Sequence, residues 1–413
     1  MPMTNQRPIS STIRLAVTCL ILAIGMRTWL VMGLIEPVVV SGSSMMPTLR
    51  GDFVTPSCPH CNHQFEVGVD FAFSAEQMQC PRCRRGEILF SGLEVQRGDK
   101  LWIDRTAFEW RYPRRWETVV ARSPHNAEEL CVKRVVGLPG ELVELRDGKV
   151  FIDGKVAHKS LEPQQALRQL VHRESSSAQR WQPDDAKAWT LSGSTWEFAS
   201  AHEAKQTSWL RYQHPQNLPI TDDVPNNVGV TRKLNYVDEF MLTADLRVNG
   251  EGKLHFLLKD GTTTAQLRIL LPEGIVEVIT AEDQTTKLNM TEELTKRMRN
   301  EQVTVELSNF DQQLRLVIDG KLVLNRTWPN GKAVGTSQPF AVGVQAVDIT
   351  LENVRVYRDV YYGKRPVGAA REGNTSWQLE SDEFFLLGNN PPISADSRLW
   401  GPVSGKLIIG MPL

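Results

Sequence analysis

Ser44 and Lys133 carry functional groups that can act together in nucleophilic catalysis. Ser44 follows Ser41-Gly42-Ser43, small residues that let the backbone bend and expose a hydroxyl and an amide. Lys133 stands in a β-prone stretch with valines at positions 132, 135 and 136. Burial among such side chains lowers the pKa of a lysine from about 10.4 and favours the neutral amine. The two residues are therefore candidates for a Ser-Lys dyad; taken alone, each is more often an ordinary turn serine or a solvent-facing lysine.

Four of the six cysteines form two Cys-x-x-Cys pairs, Cys58 with Cys61 and Cys80 with Cys83. This spacing is typical of a zinc ribbon, in which each pair supplies two thiolates to a tetrahedral metal. The alternative is two disulfides in an oxidising compartment. Four thiolates leave no open coordination position, so we expect a structural zinc and no catalytic cofactor.

The cysteine pairs lie in a segment that is predicted to be an insertion. Two similar triplets frame this segment, Arg50-Gly51-Asp52 before it and Arg97-Gly98-Asp99 after it. The insertion is expected to occupy residues 57–87, in a loop between two strands of a larger β-domain.

A membrane segment is predicted near the N-terminus. Nearly every residue from 15 to 35 is apolar, and about 20 such residues cross a bilayer as a helix. Arg27 is expected near one end, from where its side chain reaches the headgroups. Arg7 and Arg14 precede the segment, which places the N-terminus in the cytoplasm and the rest of the chain outside. A cleaved secretory signal is the alternative.

The remaining segments that can position these groups have β patterning. Asp147-Gly148 and Asp153-Gly154 are two-residue hairpin signals. Around them, and again near the C-terminus, strands are predicted at 38–40, 101–105, 118–120, 131–136, 142–145, 150–152, 383–388 and 405–411. Alternating apolar and polar residues between 240 and 357 predict a second all-β unit, a β-sandwich.

The composition sets broad limits on the class of protein. A chain of 413 residues suggests two to three domains, and an apolar share of 41% is ordinary for a folded protein. The net charge of −1 gives no reason to expect nucleic acid as a partner.

Three motifs resemble, in their order along the chain, the conserved boxes of bacterial signal peptidase I. Residues 41–49 resemble its nucleophile box and residues 133–141 its lysine box. Gly388-Asn389-Asn390, followed by residues 394–398, is similar to its C-terminal box. The resemblance covers about half of the chain, behind a membrane segment as in the family.

The resemblance implies a role for each matching residue. Ser44 would be the nucleophile, with its amide donating to the oxyanion, and Lys133 the general base. Ser394 would hydrogen-bond and orient the lysine, and Asp396 and Arg398 would form a supporting ion pair. Val40, Met45 and Val132 flank the dyad and would wall the substrate pockets; ordinary core positions are the alternative for these three.

Two positions depart from the family pattern. Some members carry a serine two residues before the nucleophile as a second oxyanion donor, and here that position is Gly42. Asn389 stands where the family usually has aspartate, which removes a charge near the site. Ser41, Ser43 or the backbone would have to replace the missing hydroxyl.

The resemblance also implies an activity and a location. The family cleaves secretory preproteins after small residues, in an Ala-x-Ala pattern, on the outer face of the membrane. The expected protein is thus a single-pass inner-membrane serine endopeptidase with the lipid bilayer and signal peptides as partners. The alternative is an inactive or weak peptidase scaffold that displays a binding β-sandwich.

The β-sandwich has a resemblance of its own. Residues 342–357 resemble a concanavalin-like sandwich of the laminin-G or glycoside-binding type. No carboxylate pair there has a spacing that argues for sugar hydrolysis, so the sandwich is expected to be non-catalytic and to bind a glycan, a protein or nothing.

The sequence thus predicts a mainly β protein, a signal-peptidase-type β-fold with one transmembrane helix and two insertions. The predicted division is a cytoplasmic N-terminus and helix at 1–36, a catalytic domain at 37–160 and 366–413, a cysteine insert at 57–87, a linker at 161–187 and a β-sandwich at 188–365.

Overall fold

The computed structural model of the protein describes residues 11–28, 34–72, 80, 81, 83, 85, 88, 92–175, 179–199, 206–223, 233–280, 285–329, 334–363 and 375–413. Within these ranges the chain forms five α-helices and 28 β-strands, so the fold is mainly β, as the sequence predicts. The helices are α1 (Ser11–Met26), α2 (Val69–Ala72), α3 (Leu161–Leu167), α4 (Glu292–Asn300) and α5 (Ser397–Trp400).

The strands of the first part of the chain are β1 (Ile35–Val39), β2 (Phe53–Val54), β3 (Val67–Gly68), β4 (Lys100–Asp104), β5 (Thr118–Ser123), β6 (Asn126–Gly137), β7 (Leu142–Arg146), β8 (Lys149–Ile152), β9 (Lys155–Val156), β10 (Gln169–Arg173), β11 (Trp181–Pro183), β12 (Trp189–Ser192), β13 (Thr195–Phe198) and β14 (Ser208–Tyr212).

Those of the second part are β15 (Phe240–Asn249), β16 (Gly252–Lys259), β17 (Thr264–Leu271), β18 (Ile275–Thr280), β19 (Thr285–Asn289), β20 (Val303–Ser308), β21 (Gln313–Ile318), β22 (Lys321–Thr327), β23 (Phe340–Gln345), β24 (Asp348–Arg358), β25 (Ser376–Gln378), β26 (Glu383–Leu387), β27 (Val403–Ser404) and β28 (Ile408–Pro412).

One seven-stranded sheet joins the two ends of the chain, in the order β1-β4-β28-β5-β6-β26-β27. Its antiparallel pairs place β26 and β28, from the last fifty residues, beside β6 and β5. Apolar residues on one face form a core that includes Val119, Val135 and Leu386. This pairing brings the predicted C-terminal box, which directly follows β26, close to the predicted lysine box on β6.

A four-stranded sheet, in the order β25-β7-β8-β9, extends the same region. Asp147-Gly148 and Asp153-Gly154 form its two tight hairpins, with positive φ at all four residues. Two consecutive left-handed residues are what a type I′ turn needs, which is why the Asp-Gly pairs predict the hairpins correctly.

The second β unit is a sandwich of two sheets. Eight strands form one sheet, with β12-β13-β24-β15-β20-β21-β22 in order and β10 also pairing with β24. The other has the order β11-β14-β23-β16-β17-β18-β19. Leu246 of the first sheet and Phe256 of the second lie in one shared core. Helix α4 lies between strands of the sandwich and is capped by the Thr291 hydroxyl, which accepts from Leu294 N at 3.3 Å.

The predicted linker at 161–187 is wrong for most of its length. It contains α3, then β10, which pairs with β24, and β11, which pairs with β14. These strands are short and rich in Gln, Arg and His, so the alternation that marks the longer strands is weak. Strands β10 and β11 are outer strands of the two sheets of the sandwich, and an outer strand can have polar side chains that face solvent. The other predicted domain boundaries stay predictions.

The predicted membrane segment is only partly described. Helix α1 ends at Met26, residues 29–33 lie outside the described chain, and Ile35 already belongs to β1. The apolar side chains of α1 are exposed, among them Leu15, Leu20 and Leu22. Within the residues that the structure describes, no helix combines the length and the apolarity that a bilayer crossing requires.

Candidate active site

Residues 41–49, the nucleophile loop, follow β1 and carry Ser44 in a single 3₁₀ turn, Ser43–Met45. Met46 N donates to Ser43 O at 3.2 Å and Leu49 N to Met45 O at 3.0 Å. Asn390 holds the turn from the other side, because its backbone N donates to Ser44 O at 2.9 Å and its Nδ2 to Ser43 O at 3.1 Å. The first and last predicted boxes therefore contact each other directly.

Lys133 lies on β6, opposite Val119 of β5, and its side chain is only 3% exposed. Its Nζ is 2.7 Å from Ser44 Oγ. Burial lowers the pKa of Lys133 below its usual value and outweighs the nearby Cys131 and Asp396, which act in the opposite direction. A neutral amine at this distance can accept the hydroxyl proton, which is the first requirement for a lysine general base.

Trp400 of α5 lies beside the lysine, with Lys133 Nζ 5.8 Å from the ring centroid. This half-buried indole covers one side of the amine and adds to its desolvation. The sequence gives no sign of this contact, since a tryptophan in a short polar segment has no distinctive spacing.

The C-terminal box is buried as a unit. Asp396 and Arg398 form the predicted ion pair, with Arg398 NH2 2.8 Å from Asp396 Oδ2 and both side chains inaccessible to solvent. Asp396 Oδ2 also accepts from Gly388 N at 3.1 Å. The pair therefore fixes the segment after β26 that contacts the nucleophile loop.

Ser394 is fully buried, but its predicted hydrogen bond to Lys133 is not present. Its Oγ has no hydrogen-bond partner among the described residues. Gly388 explains why the hydroxyl nevertheless lies at the site: a Cβ on Gly388 would be 2.2 Å from Ser394 Oγ and 2.6 Å from Ser44 O. Only glycine permits this three-way approach.

The predicted pocket residues differ in accessibility. Met45 is buried, whereas Val40 and Val132 are half-buried, and Val132 pairs with Val120 on β5. Gly42 is exposed in an extended conformation and offers no hydroxyl to an oxyanion. Their roles in substrate recognition stay predictions.

The four cysteines come together as a second candidate site. Cys58 Sγ is 3.7 Å from Cys83 Sγ, Cys61 Sγ is 3.7 Å from Cys80 Sγ, and none of these four cysteines is in a disulfide. Sulfurs at the corners of a zinc tetrahedron with bonds of about 2.3 Å are separated by about 3.8 Å, whereas a disulfide needs about 2.05 Å. The geometry thus fits a four-thiolate metal site better than two disulfides.

The sequence model of the family described as "Signal peptidase, peptidase S26" matches residues 93–206 and 289–412, more than half of the chain. The chain belongs to the signal peptidase family, peptidase S26. Lys133, Ser394, Asp396 and Arg398 lie inside the matched ranges of this signal peptidase, and Ser44 lies outside them.

Two curated signal peptidases are similar to shorter parts of the chain. The probable signal peptidase I-2 of Synechocystis sp. is 34% identical over 67 residues, which are 15% of this chain and 31% of the relative. Signal peptidase I V of Bacillus subtilis is 28% identical over 60 residues, 14% of this chain and 34% of the relative. Each match spans about a third of the relative's length.

Among solved structures, the carbohydrate-binding module CBM66 from Bacillus subtilis is similar to 43% of this signal peptidase family member. That match covers 94% of the module, with 12% identity and a TM-score of 0.27. A likeness this weak says nothing about what the present chain binds.

The departure at Asn389 has a structural consequence that the sequence does not reveal. Its Oδ1 accepts from Arg134 Nε at 3.1 Å and its Nδ2 donates to Thr48 Oγ1 at 2.8 Å. Arg134 also donates to Trp116 O. Its guanidinium is buried and forms no ion pair within the described residues, and this burial lowers the pKa of Arg134. Among the described residues, this buried cation thus has only neutral hydrogen-bond acceptors.

We expect Asn389→Asp to stabilise the protein by about 1–3 kcal/mol, because the new carboxylate would compensate a charge that is already buried. Arg134 would depress the pKa of the new aspartate, so the gain should be present at pH 7 and be lost as the pH falls toward 3. Thermal unfolding at both pH values measures it. Asn390→Asp is the matched control and should lower the stability of the protein, because a carboxylate cannot donate a hydrogen bond to Ser43 O. Equal changes in stability for the two variants would contradict the prediction.

Proposed function

We propose that the protein is a signal peptidase I, a membrane-bound serine endopeptidase that removes N-terminal signal peptides from secretory preproteins after small residues. The observation that carries the proposal is the 2.7 Å approach of Lys133 Nζ to Ser44 Oγ, with the amine buried and its pKa lowered. Family membership supports the same reaction class.

In the proposed reaction, Ser44 Oγ attacks the scissile carbonyl carbon while Lys133 Nζ takes the hydroxyl proton. The amide of Ser44 donates to the oxyanion that forms. When the C–N bond breaks, the Lys133 ammonium returns its proton to the leaving amine, and an acyl-enzyme ester remains on Ser44. The leaving amine is the new N-terminus of the mature protein. A water molecule, deprotonated by the neutral lysine, then attacks the ester, the bond between the acyl carbon and Ser44 Oγ breaks, and the signal peptide leaves with a new carboxylate while the Lys133 ammonium returns the proton to Ser44 Oγ.

Three further features of the site have proposed roles. The Asp396–Arg398 ion pair and Ser394 hold the wall of the site through Gly388. Val40, Met45 and Val132 line the small pockets that select alanine-like side chains. The four-cysteine cluster holds a structural zinc, for which its sulfur spacing is suited.

The proposed location is the cell membrane, with the N-terminus in the cytoplasm and the peptidase on the outer side. The exposed leucines of α1 support an apolar environment around this segment. The β-sandwich is proposed to be non-catalytic, with a glycan or protein as its ligand.

The test is processing of a secretory precursor with an Ala-x-Ala site by the full chain in detergent. Wild type should release the signal peptide, and Ser44→Ala should not. Ser376→Ala, at an exposed position of β25, is the matched control and should process like wild type. Equal processing by wild type and Ser44→Ala would refute the protease and leave the scaffold with a binding sandwich as the better hypothesis.

A further inference from the structure

The four-cysteine insert contacts the nucleophile loop through its own hairpin, the strands β2 and β3. Phe53 pairs with Gly68 and Val54 with Val67. Val54 and Val67 also belong to a small core that contains Cys58 and Cys80, with Cys61 and Cys83 packed against it. The hairpin and the thiolate cluster therefore form one packed unit.

Each cysteine pair is itself a tight turn. Asn62 N donates to Cys58 O at 2.9 Å and Cys58 N to His63 O at 2.9 Å, while Cys80 N donates to Arg85 O at 2.8 Å. Among the described residues, the core of this unit has four buried apolar side chains besides Cys58 and Cys80, namely Val54, Phe65, Val67 and Ile88. Small cores of this kind need additional support to be stable. Metal–thiolate bonds are the usual source of the missing stability in such modules.

The far side of the hairpin lies against the residue before the nucleophile. Asp70 Oδ2 accepts from the backbone N of Ser43 at 3.0 Å. A Cβ on Gly68 would be 1.8 Å from Ser43 Oγ, so the Ser43 side chain is in direct contact with the hairpin backbone. Ser43 is buried, whereas Asp70 is exposed. The Asp70 carboxylate therefore lies on the solvent side of the turn that carries Ser44 and closes that side.

Three ion pairs link the insert and the two triplets that frame it. Arg50, directly after the nucleophile loop, pairs with Glu66 of the insert at 3.2 Å and with Asp99 at 3.1 Å. Arg97 pairs with Asp52 at 3.6 Å. The two framing triplets thus bind each other reciprocally, and Glu66 links the insert to the residue that directly follows the nucleophile loop.

We infer that the four-cysteine insert is a positioning element of the active site, in which Asp70 holds Ser43 and metal binding at the four thiolates keeps Asp70 in place. This inference rests on the proposed function for its consequence in catalysis. A displacement of about 1 Å at a nucleophile can cost about 100-fold in rate. Loss of metal should therefore lower the turnover without touching Ser44 or Lys133.

The first test compares Asp70→Ala with the conservative variant Asp70→Asn in the full chain. Asp70→Ala should lower kcat about tenfold with KM nearly unchanged, since one hydrogen bond to a charged acceptor is lost. Hydrogen exchange in the peptide covering residues 41–49 should become about tenfold faster. Asp70→Asn keeps an acceptor oxygen and should restore most of both quantities, which a role that depends on the negative charge of Asp70 would not predict.

The second test removes the metal with a chelator and adds Zn²⁺ alone. Removal should lower kcat and raise exchange at residues 41–49, and Zn²⁺ should reverse both effects. In Asp70→Ala, metal removal should change kcat and exchange at residues 41–49 less than in wild type, because the hydrogen bond between Asp70 and Ser43 is already lost. Cys58→Ser should behave like the metal-free protein, and Cys19→Ser, in α1, should behave like wild type.

The outcomes separate this inference from the proposed function. If wild type cleaves a precursor but neither Asp70→Ala nor metal removal changes kcat or exchange at 41–49, the inference is wrong and the peptidase stands. If exchange at 41–49 responds as expected but wild type does not cleave, the positioning role stands and the proposed function is wrong. If Asp70→Ala has its effects and metal removal has none, the metal-dependent part is overturned.

Discussion

Replacing Ser44 by alanine and Lys133 by methionine, singly and together, is expected to lower kcat by about the same factor in all three variants, on the order of 10⁴-fold or more. A nucleophile and its base act as one unit, so removal of either leaves nothing for the other to contribute. The 2.7 Å distance between Ser44 Oγ and Lys133 Nζ is the basis of the expectation. Single-turnover cleavage of a precursor measures the chemical step directly.

The pH dependence of kcat/KM provides a second test of Lys133 as the general base. Wild-type kcat/KM should rise with pH through the pKa of Lys133, which burial holds below 10.5, because only the neutral amine accepts the proton. This limb should be absent in Lys133→Met. Lys133→Arg should be as inactive as the methionine variant, since a guanidinium stays charged.

Lys100→Met is the matched control for the lysine, because Lys100 is exposed at the start of β4 in the same sheet. It should keep wild-type kcat and the wild-type pH profile. Losses in Ser44→Ala and Lys133→Met that multiply in the double variant would contradict a dyad, because independent contributions multiply and those of a single unit do not.

The local signals in the sequence predict the parts of the site that are formed by short segments. The small residues around Ser44 form a tight 3₁₀ turn, and the Asp-Gly pairs form tight hairpins. The lysine box forms the buried end of β6, as its valines indicate. In each case the determinant lies within a few residues, and local backbone preference and burial act together.

The features that the sequence does not reveal depend on distant partners. Asp70 contacts Ser43 across 27 positions, and Asn389 contacts Thr48 across 341. Nothing in the neighbourhood of Asp70 distinguishes it from a surface carboxylate, and the buried Arg134 looks like an ordinary strand residue. For Ser394 the family resemblance predicts too much: the residue lies at the site, but the hydrogen bond to Lys133 that the resemblance implies is absent among the described residues.

The strands within the predicted linker at 161–187 are also missed because they pair with distant parts of the chain. Strand β10 has only five residues and pairs with β24 about 185 positions later in the chain. Two of its polar residues, Gln169 and His172, are buried, whereas Leu170 is exposed, so its burial pattern does not follow the polarity of its residues. Pairing partners so far apart leave no periodic pattern in a single short segment.

Replacing Lys159 by methionine is expected to lower the free energy of unfolding by about 3–5 kcal/mol, because it leaves buried carboxylates without their counter-ion. Lys159 Nζ lies 2.5 Å from Asp311 Oδ1 and 2.8 Å from Asp359 Oδ2, and all three side chains are buried. Lys159 follows β9 of the four-stranded sheet, whereas Asp311 precedes β21 and Asp359 follows β24. The cluster therefore joins the catalytic region to the sandwich.

The charge state of this cluster sets the pH dependence of stability. Burial would lower the pKa of Lys159, but Asp311 and Asp359 outweigh it and raise the pKa, so the ammonium persists. Burial raises the pKa of Glu239 to about 8 and that of Asp359 to about 6. The folded state therefore keeps protons that the unfolded chain has already released, and stability should fall as the pH rises from about 4.5 to 8.

Denaturant unfolding at pH 5 and pH 8 tests both expectations. Lys159→Met should be more destabilising at pH 8, where its carboxylates are charged, and Asp359→Asn added to it should recover part of the loss. Glu239→Gln stays neutral, so its stability relative to wild type should increase from pH 5 to pH 8. Lys155→Met, at an exposed position of β9, is the control and should change stability by less than about 0.5 kcal/mol. A loss in Lys159→Met that is equal at both pH values would show that packing, not charge compensation, holds the sandwich to the catalytic region.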